Sequence, residues 1–158
     1  MAIKLPLVIT NGQVQQLQSG DSIDTRAEQF QLVNDEATPV VIGAPVYSDA
    51  AGGFKKAQAN ASATSKVVGM VAQSPSIANG VSGAVTLDGM LTATTTQWDA
   101  VAGTSGGLAF GAYYYLDPAN PGKITASAPT TVGQYVVQIG QALSTTDFKI
   151  NIQQSVLL

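Results

Sequence analysis

Cysteine and histidine are both absent from the 158 residues. Without Cys there is no disulfide framework, no thiolate metal site and no cysteine nucleophile. Without His the usual general base of a triad, the commonest zinc ligand and the side chain that titrates near neutrality are missing. Most hydrolase and metalloenzyme designs are thereby excluded, and the expectation is a protein with no enzymatic role, no cofactor and no metal. Charge is scarce as well. Asp, Glu, Lys and Arg make up 11% of the chain, against roughly 25% in an ordinary soluble domain. A surface so poor in charge suits burial against other chains, although a free-standing β-domain with a neutral, hydroxyl-rich surface has the same composition. The net charge is −3, and only Lys55 and Lys56 are adjacent cations, so no phosphate-binding surface and no nucleic-acid partner are expected. Long apolar runs are lacking too. The stretch Met1 to Thr10 is interrupted by Pro6 and is too short for a signal peptide or a membrane span, which predicts a soluble, cytoplasmically made product without a membrane partner.

What is present is short β-branched and aromatic runs, each closed by Gly, Pro, Asn or Asp. Residues 1–12 read as an extended N-terminal arm, because Pro6 supplies no N–H to a central strand, and Asn11-Gly12 is a turn signal. Residues 13–158 read as a single β-rich domain. Strands are expected at Gln13 to Leu17, Phe30 to Val33, Val40 to Ile42, Val46 to Ser48, Val67 to Ala72 and Phe148 to Gln153. Two more are expected on either side of Asp88-Gly89, a dipeptide that suits a hairpin turn. The stretch Lys55 to Ser65 is Ala-rich and fits a helical turn or an irregular crossing. Only Thr95 to Val101 reads as a helix, with a Thr available as N-cap and Gly103 to stop it. The fold class is therefore all-β, a small sandwich or barrel of short antiparallel strands with at most one short helix. Val67 to Ala72 and Val137 to Ala142 share an apolar-Gly-apolar form, but their surroundings differ, so strand chemistry accounts for the likeness and no internal repeat is expected.

The densest stretch runs from Gly106 to Leu143. Within it, period-two alternation sends Tyr113 and Tyr115 to one face and Tyr114 and Leu116 to the other. Trp98 and Tyr114 are expected in the core, while Tyr113 and Tyr115 serve equally well as core or as a platform for a partner. The apolar ends, Ile3, Leu5, Leu7 and Ile9 and then Val156, Leu157 and Leu158, are unusual if left in water and suit docking on a neighbour. Other apparent motifs have simpler accounts. Gly103 to Gly107 lacks the Lys-Ser/Thr of a phosphate loop. Asp21 and Asp24 near Ser22, and Asp117 near Asn120, lack calcium-loop spacing and suit turn capping. Asn60-Ala61-Ser62 meets the glycosylation pattern only formally.

Several stretches resemble tailed-bacteriophage structural proteins: Asn11 to Asp21, Val67 to Gly89, Gly106 to Leu116, Pro121-Gly122-Lys123-Ile124 and Gly133 to Ser144. The chain looks most like capsid decoration, or head cement, proteins; similar strings occur in tail and tail-fibre components, and the size favours the head. The resemblance implies a β-rich virion protein on the outer capsid surface. Such a protein is often a homotrimer, and it bridges neighbouring major capsid subunits. The alternative it implies is a tail or fibre component that binds a host glycan. It carries no motif from which binding residues can be transferred.

Overall fold

The computed structural model describes residues 29–158 in full and, before them, the backbone of 7–10 and 13–16. The described chain is all-β with one short helix. Strand β1 (Leu7–Thr10) pairs antiparallel with β2 (Gln13–Gln16), with Ile9 opposite Val14 and Thr10 opposite Gln13. Then follow β3 (Gln29–Val33), β4 (Val40–Val41), β5 (Pro45–Ser48), β6 (Phe54–Lys56), β7 (Val67–Val71), β8 (Ser76–Ile77) and β9 (Ser82–Thr86). After them come β10 (Asp88–Thr92), α1 (Thr95–Ala102), β11 (Tyr113–Leu116), β12 (Ile124–Thr125), β13 (Tyr135–Val136), β14 (Gln138–Ala142), β15 (Asp147–Asn151) and β16 (Val156–Leu157). The Ala-rich stretch after β6 is a series of turns.

Ten of these strands form two five-stranded antiparallel sheets, in the orders β3-β9-β7-β5-β6 and β10-β15-β14-β11-β12. The two orders are the same topology. In each sheet the first strand lies at an edge beside the fifth, followed by the fourth, the second and the third. The registers coincide as well. Val46 faces Gly69 and Tyr47 faces Val67, leaving Val68 as a one-residue bulge; Tyr114 faces Gly140 and Tyr115 faces Gln138, leaving Ile139 as the corresponding bulge. The turn that enters the second strand is also repeated. Gly43 (φ 83°) donates to the Val71 carbonyl and Ala44 donates back to Val41; Gly111 (φ 75°) donates to the Ala142 carbonyl and Ala112 to Ala109. Both turns need a residue that tolerates positive φ, and both have Gly-Ala there. The chain is thus an internal structural repeat. This corrects the expectation of none: the likeness between the Val67 and Val137 segments marks equivalent strands, Gly69 matching Gly140.

A second correction concerns Asp88-Gly89. These residues begin β10, which pairs with β15 and not with β9. Between β9 and β10 the chain passes from one sheet to the other through Leu87 alone, so no hairpin forms. The helix follows expectation closely. Thr94 and Gln97 form a reciprocal capping box, and Gly103 closes the helix in the left-handed conformation.

The larger core joins the two halves. Met70, Ile42, Ala57 and Ala59 of the first half belong to one buried cluster with Trp98, Tyr114, Ile139, Phe148 and Ile150 of the second. The Trp98 ring lies 5.4 Å from that of Phe148, and its Nε1 donates to the Thr146 carbonyl at 2.8 Å. A smaller cluster, including Val40, Val46, Phe54, Val71, Ile77 and Val85, lies within the first half.

Candidate interaction surfaces

The second sheet turns one face to this core and the other to solvent. Register sets Met90 opposite Lys149, Lys149 opposite Gln141 and Gln141 opposite Tyr113, a row across four strands. Met90, Lys149 and Tyr113 are exposed, Tyr113 by 49%, and Gln141 is half-buried. Tyr115, half-buried, continues that face between Gln138 and Thr125. On the opposite face Tyr114 and Leu116 are buried, and the Tyr114 hydroxyl accepts from the Ala109 N–H at 3.0 Å. Alternation in Tyr113 to Leu116 therefore divides a buried pair from a displayed pair, as period two requires. Trp98, at 0% exposure, belongs to the core.

The apolar tail is displayed but tethered. Val156 and Leu157 pair with Val136 and Tyr135, and Leu158 donates to the Gln134 carbonyl while its own carbonyl accepts from Gly133. Val156, Leu157 and Leu158 all remain exposed. The Gln153 N–H donates to the Gln138 carbonyl, so the segment leading to the tail is fastened to the strand that also carries Gln141. Of the N-terminal candidates, Ile3 and Leu5 lie outside the described residues, and Leu7 and Ile9 are in β1. The two tyrosines and the tail thus lie on one half of the protein.

The loop N–H groups and turn carboxylates singled out in the sequence are engaged within the protein itself. The Asp99 carboxylate accepts from the Gly107 N–H at 2.7 Å, the Gly106 N–H at 3.0 Å and the Thr104 hydroxyl at 2.9 Å. The glycine-loop N–H groups a phosphate would need are therefore taken by a side chain of the protein itself. The Gly107 N–H, followed by Gly106 and Thr104, outweighs partial desolvation and holds the Asp99 carboxyl below its usual range. Asp147 is lowered in the same way, first by Thr92 and then by Ser144. Asp117 caps its own turn through the N–H groups of Ala119 and Asn120. Among the described residues no group of three or more acidic side chains comes together as a metal site. Asp21 and Asp24 lie outside the described residues.

An apolar groove of about 210 Å³ that the sequence did not single out opens on the first sheet, lined by Phe30, Leu32, Ser48, Val68, Val85 and Leu87. Its signal was the alternation of Phe30 and Leu32 with Gln29 and Gln31, which marks an apolar strand face without saying whether it is covered. No helix of the described chain is long and apolar enough to cross a membrane. Compared with protein-family models, curated proteins and solved structures, the chain matches none.

Proposed function

We propose that this chain is a structural protein of a tailed-phage virion that binds the outer surface of the mature capsid as a homotrimer and bridges neighbouring major capsid subunits. The observation that carries this reading is the sparsely charged open sheet face bearing Tyr113, Gln141, Lys149 and Met90, on the same half as the exposed tail Val156 to Leu158. Tyrosine gives large contact area at low entropic cost, and an apolar tail held by backbone bonds loses little further freedom on docking. The resemblance of the sequence to decoration proteins supplies the container. A protein that binds only the expanded lattice stabilises it by mass action, with no bond made or broken. Several copies joined together turn later contacts into intramolecular ones, so modest patches suffice. The glycan-binding alternative loses its best aromatic, because Trp98 is buried.

Co-sedimentation tests the proposal. The protein is mixed separately with mature capsids, unexpanded capsids and host cells. It should pellet with mature capsids, and the double variant Tyr113→Asp, Val156→Asp should stay in the supernatant with an unchanged melting curve. Pelleting with cells but not with capsids would overturn the reading.

A further inference from the structure

We infer that Asn79 is a site of spontaneous covalent modification, its amide becoming an acid through a cyclic imide with Gly80, and that the segment 34–36 guards it. Asn79 and Gly80 are the central pair of a turn in which the Val81 N–H donates to the Ala78 carbonyl at 3.1 Å. Backbone conformation requires the glycine: φ at Gly80 is 69°, while a Cβ there would meet nothing within 4 Å. That requirement has a chemical consequence. With no side chain beside it, the Gly80 nitrogen is an unhindered nucleophile for the preceding side-chain amide, and both residues are exposed to the water the reaction needs. The Gly80 nitrogen loses its proton and bonds to the Asn79 Cγ; the Cγ–Nδ2 bond breaks, and ammonia leaves with that proton. Water then opens the imide, leaving an aspartate at this position if it adds at Cγ and an isoaspartate if it adds at the main-chain carbonyl.

In the folded protein both reacting groups are held elsewhere. The Gly80 N–H donates to the Asn34 carbonyl at 2.8 Å, and the Asn79 Nδ2 donates to the Glu36 carbonyl. Asn34 fixes this segment. It is fully buried; its N–H donates to the Val81 carbonyl at 3.0 Å, and its Nδ2 donates to the Ile77 and Thr38 carbonyls at 2.8 and 3.1 Å. Its Oδ1 accepts from the Glu36 N–H at 2.9 Å. The imide therefore forms only after the segment 34–36 lifts from the turn, a local opening that leaves the second half folded. Modification then opposes reclosing. An ionised carboxylate in place of the Asn79 amide faces the Glu36 carbonyl with no proton to donate, and an isoaspartate adds a methylene to the main chain between β8 and β9. The part of the fold affected is the smaller core, which Val40 and Ile77 enter from the paired strands β4 and β8.

This inference is independent of the virion proposal. Peptide mapping of the full-length protein, after incubation in mildly alkaline buffer, reads Asn79 separately from Asn11-Gly12, which lies outside the described residues. Asn79 should convert roughly tenfold more slowly in the native protein than in the same protein held in guanidinium chloride, or in a synthetic peptide of residues 77–82. That comparison needs no variant. Asn34→Ala should bring the native rate towards that of the peptide, with unchanged Trp98 emission as the check that the second half stays folded. Asn79→Asp, which imitates one product, should speed amide exchange at Gly80 by about tenfold. The proposal is overturned by equal rates in native and denatured protein, by a native rate that folded Asn34→Ala leaves unchanged, or by Gly80 exchange indifferent to Asn79→Asp.

Discussion

Gly69 and Gly140 hold the same place in the two sheets: a Cβ on Gly69 would lie 2.5 Å from the Thr86 carbonyl oxygen, and one on Gly140 would lie 2.1 Å from that of Lys149. The oxygen in each case belongs to the neighbouring strand on the side away from the bulged pairing, β9 for Gly69 and β15 for Gly140. Neither oxygen can move without breaking its ladder. Gly69→Ala and Gly140→Ala should each destabilise the protein by about 1–3 kcal/mol, the usual cost of overpacking. Urea midpoints measure this, and an unshifted midpoint in either variant would refute the account.

Trp98 is the largest fully buried side chain and the junction between α1, Phe148 and the Thr145–Thr146 turn. Trp98→Ala should cost about 3–5 kcal/mol. Trp98→Phe should cost far less, about 1 kcal/mol from the lost indole hydrogen bond, because the Thr146 carbonyl keeps its bond from the Ala93 N–H. The same Trp is the only one in the chain, so its emission should be blue-shifted in the native state and move red in one step on unfolding.

The capping box at Thr94 offers a smaller, local test. Thr94→Ala removes the acceptor for the Gln97 N–H and should lower stability by about 0.5–2 kcal/mol. Thr94→Ser keeps that oxygen and should behave like the parent in the same denaturation series.

Acid should weaken the fold through Asp99 and Asp147. Both carboxyls are held below their unfolded values by hydrogen bonds to their ionised forms. Their contribution is therefore complete above the unfolded pKa, about 4, and is lost as pH falls through the lower folded values. Melting temperature should be flat near neutrality and drop below roughly pH 4. Asp99→Asn should melt lower at pH 7 and lose less on acidification than the parent; parallel pH profiles for the two proteins would refute the assignment.

Much of the secondary structure was legible in the sequence because alternation and turn chemistry act locally. The faces of Tyr113 to Leu116, the Thr94 cap and the Gly103 stop depend on neighbours within a few residues. The Asp88-Gly89 misreading has the opposite origin. A dipeptide suited to a hairpin says nothing about which strands its flanks will join, and β9 and β10 found partners in different sheets. The repeat was hidden for a related reason. Equivalent positions meet different neighbours, so Val46 corresponds to Tyr114, Phe54 to Ile124 and Met70 to Gln141, while identity survives at few places: Gly43-Ala44 with Gly111-Ala112 and Gly69 with Gly140, where backbone geometry fixes the residue, and Tyr47 with Tyr115. Of the interface candidates, alternation placed Tyr113 and Tyr115 on one face, but the groove at Phe30 depends on what its sheet does not touch, which no local pattern records.

The contrast between the outward faces of the two sheets has a consequence for growth. A repeat that stacks one unit on the next through Met70 and Tyr47 is capable of propagating copy after copy into a filament, as head-to-tail contacts that never close will do. Lys149 and Gln141 stand on the second unit where the first has Thr86 and Met70, so a further unit stacked there in the same way would have to bury an amine against apolar side chains.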